Sequence, residues 1–382
     1  ATNFDEFMKG TRKWEVIFTP TASTSLAAAV WVKDFLLLNL LNDVKSEIEV
    51  WYPRPDGWDS SGLELGEDIA DLTVSAVDAD TSNEYWLTST SFLTPTTLSK
   101  GEAGLSDPEV LKQLPAWFDA GNMEVSQHFA KSADGTRVPY FQVSQKGIKL
   151  DGSNPTLLYG YGGFEVSMTP GYSAGVGRWV GQGAVYVLAN IRGGGEYGPA
   201  WHSAALRENR IKAYEDFAAV AEDLIARKVT STPHLGIQGG SNGGMLMGNM
   251  FVLYPQLFGA VVCQVPLLDM KRYSHLLAGA SWMAEYGDPD LPADWAFLQR
   301  YSPYQNVKQD VDYPPILFTT STRDDRVHPG HARKMMARMK EQGHDVLYYE
   351  NIEGGHGGAA NNAQSAHMNA LAYTFLWQQL AK

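Results

Sequence analysis

From about Trp117 onward the chain alternates short, uninterrupted apolar runs with stretches of helical periodicity, and no other feature restricts its fold as much. The runs are Thr156–Tyr159, Ala184–Leu188, Leu235–Gln238, Ala260–Cys263, Ile316–Thr320 and Val346–Tyr349. Helix-like stretches lie between them at Tyr214–Lys228, Met245–Tyr254 and Pro329–Gln342, and another closes the chain near Ala363–Leu380. A strand that is apolar along its whole length has both faces covered, and parallel neighbours need a crossover to connect them. The expected class is α/β, with a mostly parallel, doubly wound sheet and helices on both faces.

The first part of the chain reads differently. Short β segments at Glu15–Phe18, Ala28–Val32, Phe35–Leu38, Glu47–Trp51, Leu72–Ala76 and Glu84–Ser89 are separated by the turn signals Lys33-Asp34, Asn42-Asp43, Pro55-Asp56-Gly57 and Asp78-Ala79-Asp80. That spacing suits an antiparallel meander. The expected division is therefore residues 1–115 and residues 116–382. Charge follows the same division: of the net −13 of the 382 residues, −11 falls within residues 1–115. An acidic balance argues against nucleic acid or an anionic membrane surface as the main partner.

A single cysteine, Cys263, excludes an intrachain disulfide, so the fold must rest on packing. With no run of 18 apolar residues and no basic-then-apolar start, a soluble chain is expected, its compartment left open between cytoplasm and periplasm. The absence of an initiator methionine reads as trimming.

The chemistry is carried by Gly239-Gly240-Ser241-Asn242-Gly243-Gly244, which follows one apolar run and precedes a helix. This is a G-x-S-x-G elbow in the context it needs: a serine on a tight strand-to-helix turn, with glycines relieving the crowding. No lysine follows in the spacing of a phosphate-binding loop. A serine hydroxyl is a weak nucleophile until a base takes its proton, so a carboxylate and then a histidine should follow it in the chain. Ser321-Thr-Arg-Asp324-Asp325 ends one strand and Gly354-Gly-His356-Gly-Gly358 follows another. Ser241 is thus the expected nucleophile, His356 the base and Asp324, preferred over its neighbour Asp325, the orienting acid. His328 and His331 are three apart, but no ligand cluster accompanies them, and neither a metal nor a cofactor is expected.

With these residues in hand, the chain from about Trp117 onward resembles the catalytic domain of the prolyl oligopeptidase family. The matching pieces are Lys146-Gly-Ile-Lys-Leu-Asp-Gly152, Tyr159-Gly-Tyr-Gly-Gly-Phe164, Ala189-Asn-Ile-Arg-Gly-Gly-Gly-Glu-Tyr-Gly198, the serine elbow, Tyr301-Ser-Pro303, Asp324-Asp-Arg-Val327 and Gly355-His-Gly357. The first 115 residues are similar to the last two or three blades of that family's β-propeller, notably Leu41–Ser46 and Thr90–Pro95. The resemblance implies an α/β-hydrolase fold preceded by an incomplete propeller. It implies a serine endopeptidase acting on short peptides after proline, with the Tyr161 hydroxyl and the Asn242 backbone N–H forming the oxyanion hole. It also assigns Trp282 to stacking on the proline ring, Phe164, Tyr286 and Val327 to the rest of the lining, and Arg326 to a substrate carbonyl.

Two alternatives follow from local sequence. Oligopeptidase B, a relative that cleaves after Lys or Arg, usually has Ser-Tyr-Gly near the position of Gly163-Phe164 and alanine after the nucleophile, where this chain has Asn242. An esterase on the same fold would share the three residues without the proline pocket. A reading from another class is an inactive fragment acting as a binding module, since 115 residues supply about two and a half blades where closure needs at least about four. A preceding segment or a second chain would then complete the propeller.

Overall fold

In the computed structural model of the chain, the described residues are 1–55, 57–63, 69–105 and 107–382. Asp56 of the expected Pro55-Asp56-Gly57 turn lies outside them. They divide into two compact units, residues 1–115 with 169–172, and residues 116–168 with 173–382.

In the first unit a short helix, α1 (Phe4–Met8), precedes two four-stranded antiparallel sheets. One contains β1 (Thr24–Trp31), β2 (Leu36–Asn42), β3 (Lys45–Arg54) and β4 (Gly57–Gly62); the other contains β5 (Asp71–Ala76), β6 (Glu84–Thr90), β7 (Thr97–Glu102) and β8 (Glu109–Gln113). Each is a meander with neighbours in chain order, the pattern of a propeller blade. Strand β2 is apolar and covered on both faces: Leu37 packs with Ile48, Leu72 and Leu87, while Leu36, Leu38 and Leu40 pack with Ile17, Phe18, Trp51 and Trp58. The two-residue turn between β2 and β3 holds both Asp43 and Val44 at positive φ, 46° and 70°, as a hairpin whose twist matches its strands requires.

Two sequence expectations differ from what is found here. Glu15–Phe18 forms no strand; Ile17 and Phe18 pack on the sheet without joining its ladder. Strands β4, β7 and β8 were not foreseen. Their sequences, GWDSSG, TLSKGE and EVLKQ, are polar, and the two that lie at sheet edges are largely exposed, so hydrophobic alternation does not mark them.

In the second unit, β9 (Met123–Lys131) and β10 (Arg137–Gln145) form a hairpin. There follow β11 (Thr156–Tyr159), α2 (Ala174–Gly181), β12 (Val185–Ala189), α3 (Pro199–Ser203), α4 (Ile211–Ala226), β13 (Leu235–Gly240), α5 (Asn242–Leu253) and β14 (Ala260–Gln264). Three short helices, α6 (Met283–Tyr286), α7 (Pro292–Leu298) and α8 (Pro303–Asn306), lead to β15 (Ile316–Ser321), α9 (Gly330–Glu341), β16 (Leu347–Asn351) and α10 (Asn362–Leu380). The eight strands lie in the order β9-β10-β12-β11-β13-β14-β15-β16, with β11 to β16 parallel and β10 antiparallel to β12.

That order creates the site. The chain steps from β11 to β12 in one direction and from β12 past β11 to β13 in the other. With right-handed crossovers, helices on the two legs fall on opposite faces, and the loops leaving β11 and β13 part to open a crevice. Helix α5 is buried over its first ten residues, which suits their mostly apolar composition.

The loop after β12 carries charge into the interior. Arg192 donates from Nε and Nη2 to both carboxylate oxygens of Asp216, at 2.9 and 2.6 Å, and from Nη1 to Asp134 at 2.5 Å. Glu196 is fully buried, its Oε1 accepting from the Met168 N–H at 2.9 Å and from Asn190 Nδ2 at 3.3 Å; burial pushes its pKa up to about 7. The folded carboxyl then keeps its proton between about pH 4.5 and 7, where the unfolded one has lost it, so stability falls as pH rises through that window. Glu196→Gln is expected to remove this slope. Relative to the unsubstituted chain, the variant should gain up to about 3 kcal/mol between about pH 5 and pH 8, read by urea unfolding at both values.

Candidate active site

Strand β13 ends at Gly240 and α5 begins at Asn242, leaving Ser241 to turn the chain at φ 60° and ψ −117°. A side-chain-bearing residue in that region is strained, and the surroundings hold it there. A Cβ on Gly239 would lie 2.6 Å from the Gly243 carbonyl oxygen, one on Gly243 2.9 Å from that of Gly160, and one on Gly244 2.6 Å from that of Gln264. Gly240 has only ordinary contacts. The Ser241 N–H donates to the Gln264 carbonyl at 2.9 Å, tying the turn to β14. Helix α5 starts three residues earlier than its periodicity suggests, because Gly243 and Gly244 read as loop yet form its first turn.

His356 lies on the loop after β16, which the Ser321 hydroxyl holds by donating to the Gly355 carbonyl at 2.6 Å. Its Nε2 is 3.0 Å from Ser241 Oγ, and its Nδ1 is 2.8 and 3.0 Å from the two carboxylate oxygens of Asp324. Facing two acceptors, Nδ1 carries the ring proton, which leaves Nε2 to accept from the serine hydroxyl. Asp324 is 4% exposed, and its Oδ1 also accepts from the N–H groups of Arg326 at 3.0 Å and Val327 at 2.9 Å. Those bonds fix the plane of the carboxylate. Asp325, next in the chain, faces solvent. The line from serine through histidine to carboxylate can move a proton from Oγ to Nε2 and stabilise the imidazolium that results.

Tyr161 follows β11 on the other side of the crevice. Burial raises the pKa of its hydroxyl, against the opposing charges of Arg210 and Arg326, so it stays a neutral donor. Asn242 is the first residue of α5, and its backbone N–H is one of the donors that a helix start leaves without an intrahelical partner.

Trp282 and Val327 are both almost fully buried in one apolar cluster, against which half-buried Phe164 packs. Phe164 sits at φ 57°. Arg326 is exposed, and its carbonyl accepts from the Ala278 N–H at 3.3 Å, joining the Asp324 loop to the Leu277–Trp282 turn. Tyr286 is fully buried, edge-on to Phe164 at 5.6 Å between ring centroids, and its hydroxyl donates to Asn242 Oδ1 at 2.8 Å. The histidines at 328 and 331 serve backbone: Nδ1 of His328 accepts from Gly330 N–H at 2.9 Å, and Nδ1 of buried His331 accepts from Asp269 N–H at 3.0 Å.

Three ionisable residues near the site were missed in the sequence. Arg210 is 1% exposed and bonds Glu285 Oε1 through Nη1 at 2.7 Å and Asn242 Oδ1 through Nη2; Glu285 Oε2 meets His202 Nε2 at 2.7 Å. Partners 75 and 83 positions apart leave no sequence signal, although Glu285 sits inside the Ser281–Tyr286 run that carries Trp282.

Sheet order and elbow together define an α/β-hydrolase unit. The chain belongs to the prolyl oligopeptidase family, whose model matches residues 171–382. It is 51% identical over 366 residues to the "Uncharacterized peptidase y4nA" of Sinorhizobium fredii, covering 96% of this chain and 50% of that protein. It is 36% identical over 299 residues to the "Prolyl endopeptidase" of Elizabethkingia miricola, covering 77% of this chain and 42% of that protein. Among solved structures it is similar to a "Post-proline cleaving enzyme from Rickettsia typhi", with a TM-score of 0.88 and 38% identity, over 96% of this chain and 53% of that one. The fold is thus an α/β-hydrolase domain preceded by an incomplete propeller, and the chain spans about half the length of the relatives it matches. Among the described residues no helix is long and apolar enough to cross a membrane.

Proposed function

We propose that this chain is a serine endopeptidase that cleaves short peptides on the carboxyl side of proline. The observation that carries the reading is the hydrogen-bonded line Ser241–His356–Asp324 at the switch point of the sheet. His356 takes the Ser241 proton as Oγ attacks the carbonyl carbon. The Tyr161 hydroxyl and the Asn242 N–H bind the oxyanion, and the departing amine receives its proton from His356. Water, deprotonated by the same imidazole, then hydrolyses the acyl-enzyme.

The proline preference rests on Trp282, whose flat indole would suit a compact pyrrolidine ring, with Val327 in the same apolar cluster and Phe164 packed on it. Glu285, the carboxylate buried behind Phe164, is held by Arg210 and His202, so it offers no spare charge to a Lys or Arg side chain. Arg326, exposed on the neighbouring loop, would bind a substrate carbonyl. On this reading the two sheets of residues 1–115 are propeller blades, completed by a preceding segment or a second chain, because closing such a ring takes at least about four.

The test compares Gly-Pro-linked, Arg-linked and simple acyl ester substrates with the 382-residue chain. Preference for the Gly-Pro substrate is expected; equal or greater turnover of the Arg-linked one sinks the proline assignment. Trp282→Leu should lower the ratio of kcat/KM for Gly-Pro over Gly-Ala substrates by about 10- to 200-fold, while ester turnover changes less.

A further inference from the structure

The two donors assigned to the oxyanion come from different elements, Tyr161 from the loop after β11 and the Asn242 N–H from the start of α5. Such donors work only if both stay about 2.7–3.1 Å from one point in space. Among the contacts of Asn242 is a direct tie between them: its Nδ2 donates to the Tyr161 carbonyl at 2.6 Å. The other end of the same amide accepts twice, from Tyr286 Oη–H at 2.8 Å and from Arg210 Nη2. With two donors on one side and a carbonyl on the other, the amide has a single satisfied orientation.

Arg210 is anchored in turn. Its Nη1 donates to Glu285 Oε1 at 2.7 Å, and that oxygen also accepts the Phe164 N–H at 2.9 Å, so the carboxylate grips the same loop that carries Tyr161. The other oxygen of Glu285 meets His202 on α3. Gly163 makes room for this cluster: a Cβ there would lie 2.6 Å from Asn242 Nδ2 and 2.8 Å from Arg210 Nη2. A buried polar network whose members bind one another in this way fixes geometry that packing alone leaves loose.

We propose that Arg210 is the positioning residue of the oxyanion site: held by Glu285, it locks the Asn242 amide, which clamps the Tyr161 backbone so that both donors converge. The inference rests on the serine-hydrolase reading of Ser241 and is independent of the proline preference.

Arg210→Lys keeps the charge beside Glu285 and loses the fork that spans Glu285 and Asn242. Arg210→Met combined with Glu285→Gln removes both charges, so that no carboxylate is left buried without its cation. Thermal unfolding identifies which variants are folded. In folded variants kcat should fall about 10- to 100-fold with KM within about threefold, a fraction of what deleting a donor outright does. A peptide aldehyde, whose adduct places an oxyanion in the hole, should lose affinity by the same factor as kcat/KM, while a prolyl pyrrolidide without an electrophile keeps its affinity. Labelling of Ser241 by a serine-directed phosphonate should slow in parallel. Unchanged kcat in either folded variant overturns the proposal, as does equal weakening of aldehyde and pyrrolidide, which a merely structural role predicts. The phosphonate separates this from the wider reading. If the unsubstituted chain is labelled but does not cleave after proline, the substrate assignment fails while the Arg210 comparison still decides the inference.

Discussion

Ser241→Ala is expected to reduce turnover of a Gly-Pro-linked substrate by on the order of 10⁶-fold, the scale seen when the nucleophile of a serine peptidase is removed. In the proposed sequence this residue forms the acyl bond: its Oγ is 3.0 Å from His356 Nε2. Alanine fits the strained turn at φ 60° no worse than serine, and the Ser241 N–H bond to Gln264 belongs to the backbone. The variant should therefore fold normally and lose its covalent mass shift with a serine-directed phosphonate. What turnover remains would come from the oxyanion donors and substrate binding. Full activity or full labelling in the Ser241→Ala chain would falsify the nucleophile assignment, and with it the peptidase reading.

Asp324→Asn should cost about 10⁴-fold in kcat for a different reason. The carboxylate receives the Nδ1–H of His356 and also accepts two backbone N–H groups, from Arg326 and Val327, which fix its plane. An asparagine keeping those backbone bonds through its oxygen presents its NH₂ group toward Nδ1. The imidazole must then accept at Nδ1 and carry its proton on Nε2, the tautomer that cannot take a proton from Ser241. Stability should change little, because the shape is conserved and the backbone donors keep an acceptor. A kcat within about tenfold of the unsubstituted chain would mean that Asp324 is not the orienting acid; Asp325→Asn, on the exposed neighbour, should leave kcat within that range.

How much of this could be read from the residues depends on how local the physics is. Strands β11 to β15 were legible because their apolar runs are largely buried, and β16 because its run begins apolar although it is half-exposed at the sheet edge; the elbow was legible because a serine among glycines at a strand-to-helix turn has few other uses. The polar strands β4, β7 and β8 were not, since their pairing comes from neighbours rather than from their own pattern. Trp282 and Tyr286 were singled out by motif register, but the bond that ties the Tyr286 hydroxyl to Asn242, 44 positions away, had no local signal.

The amino-acid sequence by itself determined the class of fold and the identity and order of serine, acid and histidine, because hydrophobic period and turn chemistry act over distances of a few residues. Only the tertiary structure decided how those side chains are supported. The Arg210–Glu285 pair and the Asn242 amide hold the site through contacts between positions 32 to 81 apart. Burial makes such contacts strong, since a charge without its partner is costly in a medium of low dielectric. That same burial hides them from any local pattern: a charged residue in sequence looks solvated until the fold shows what surrounds it.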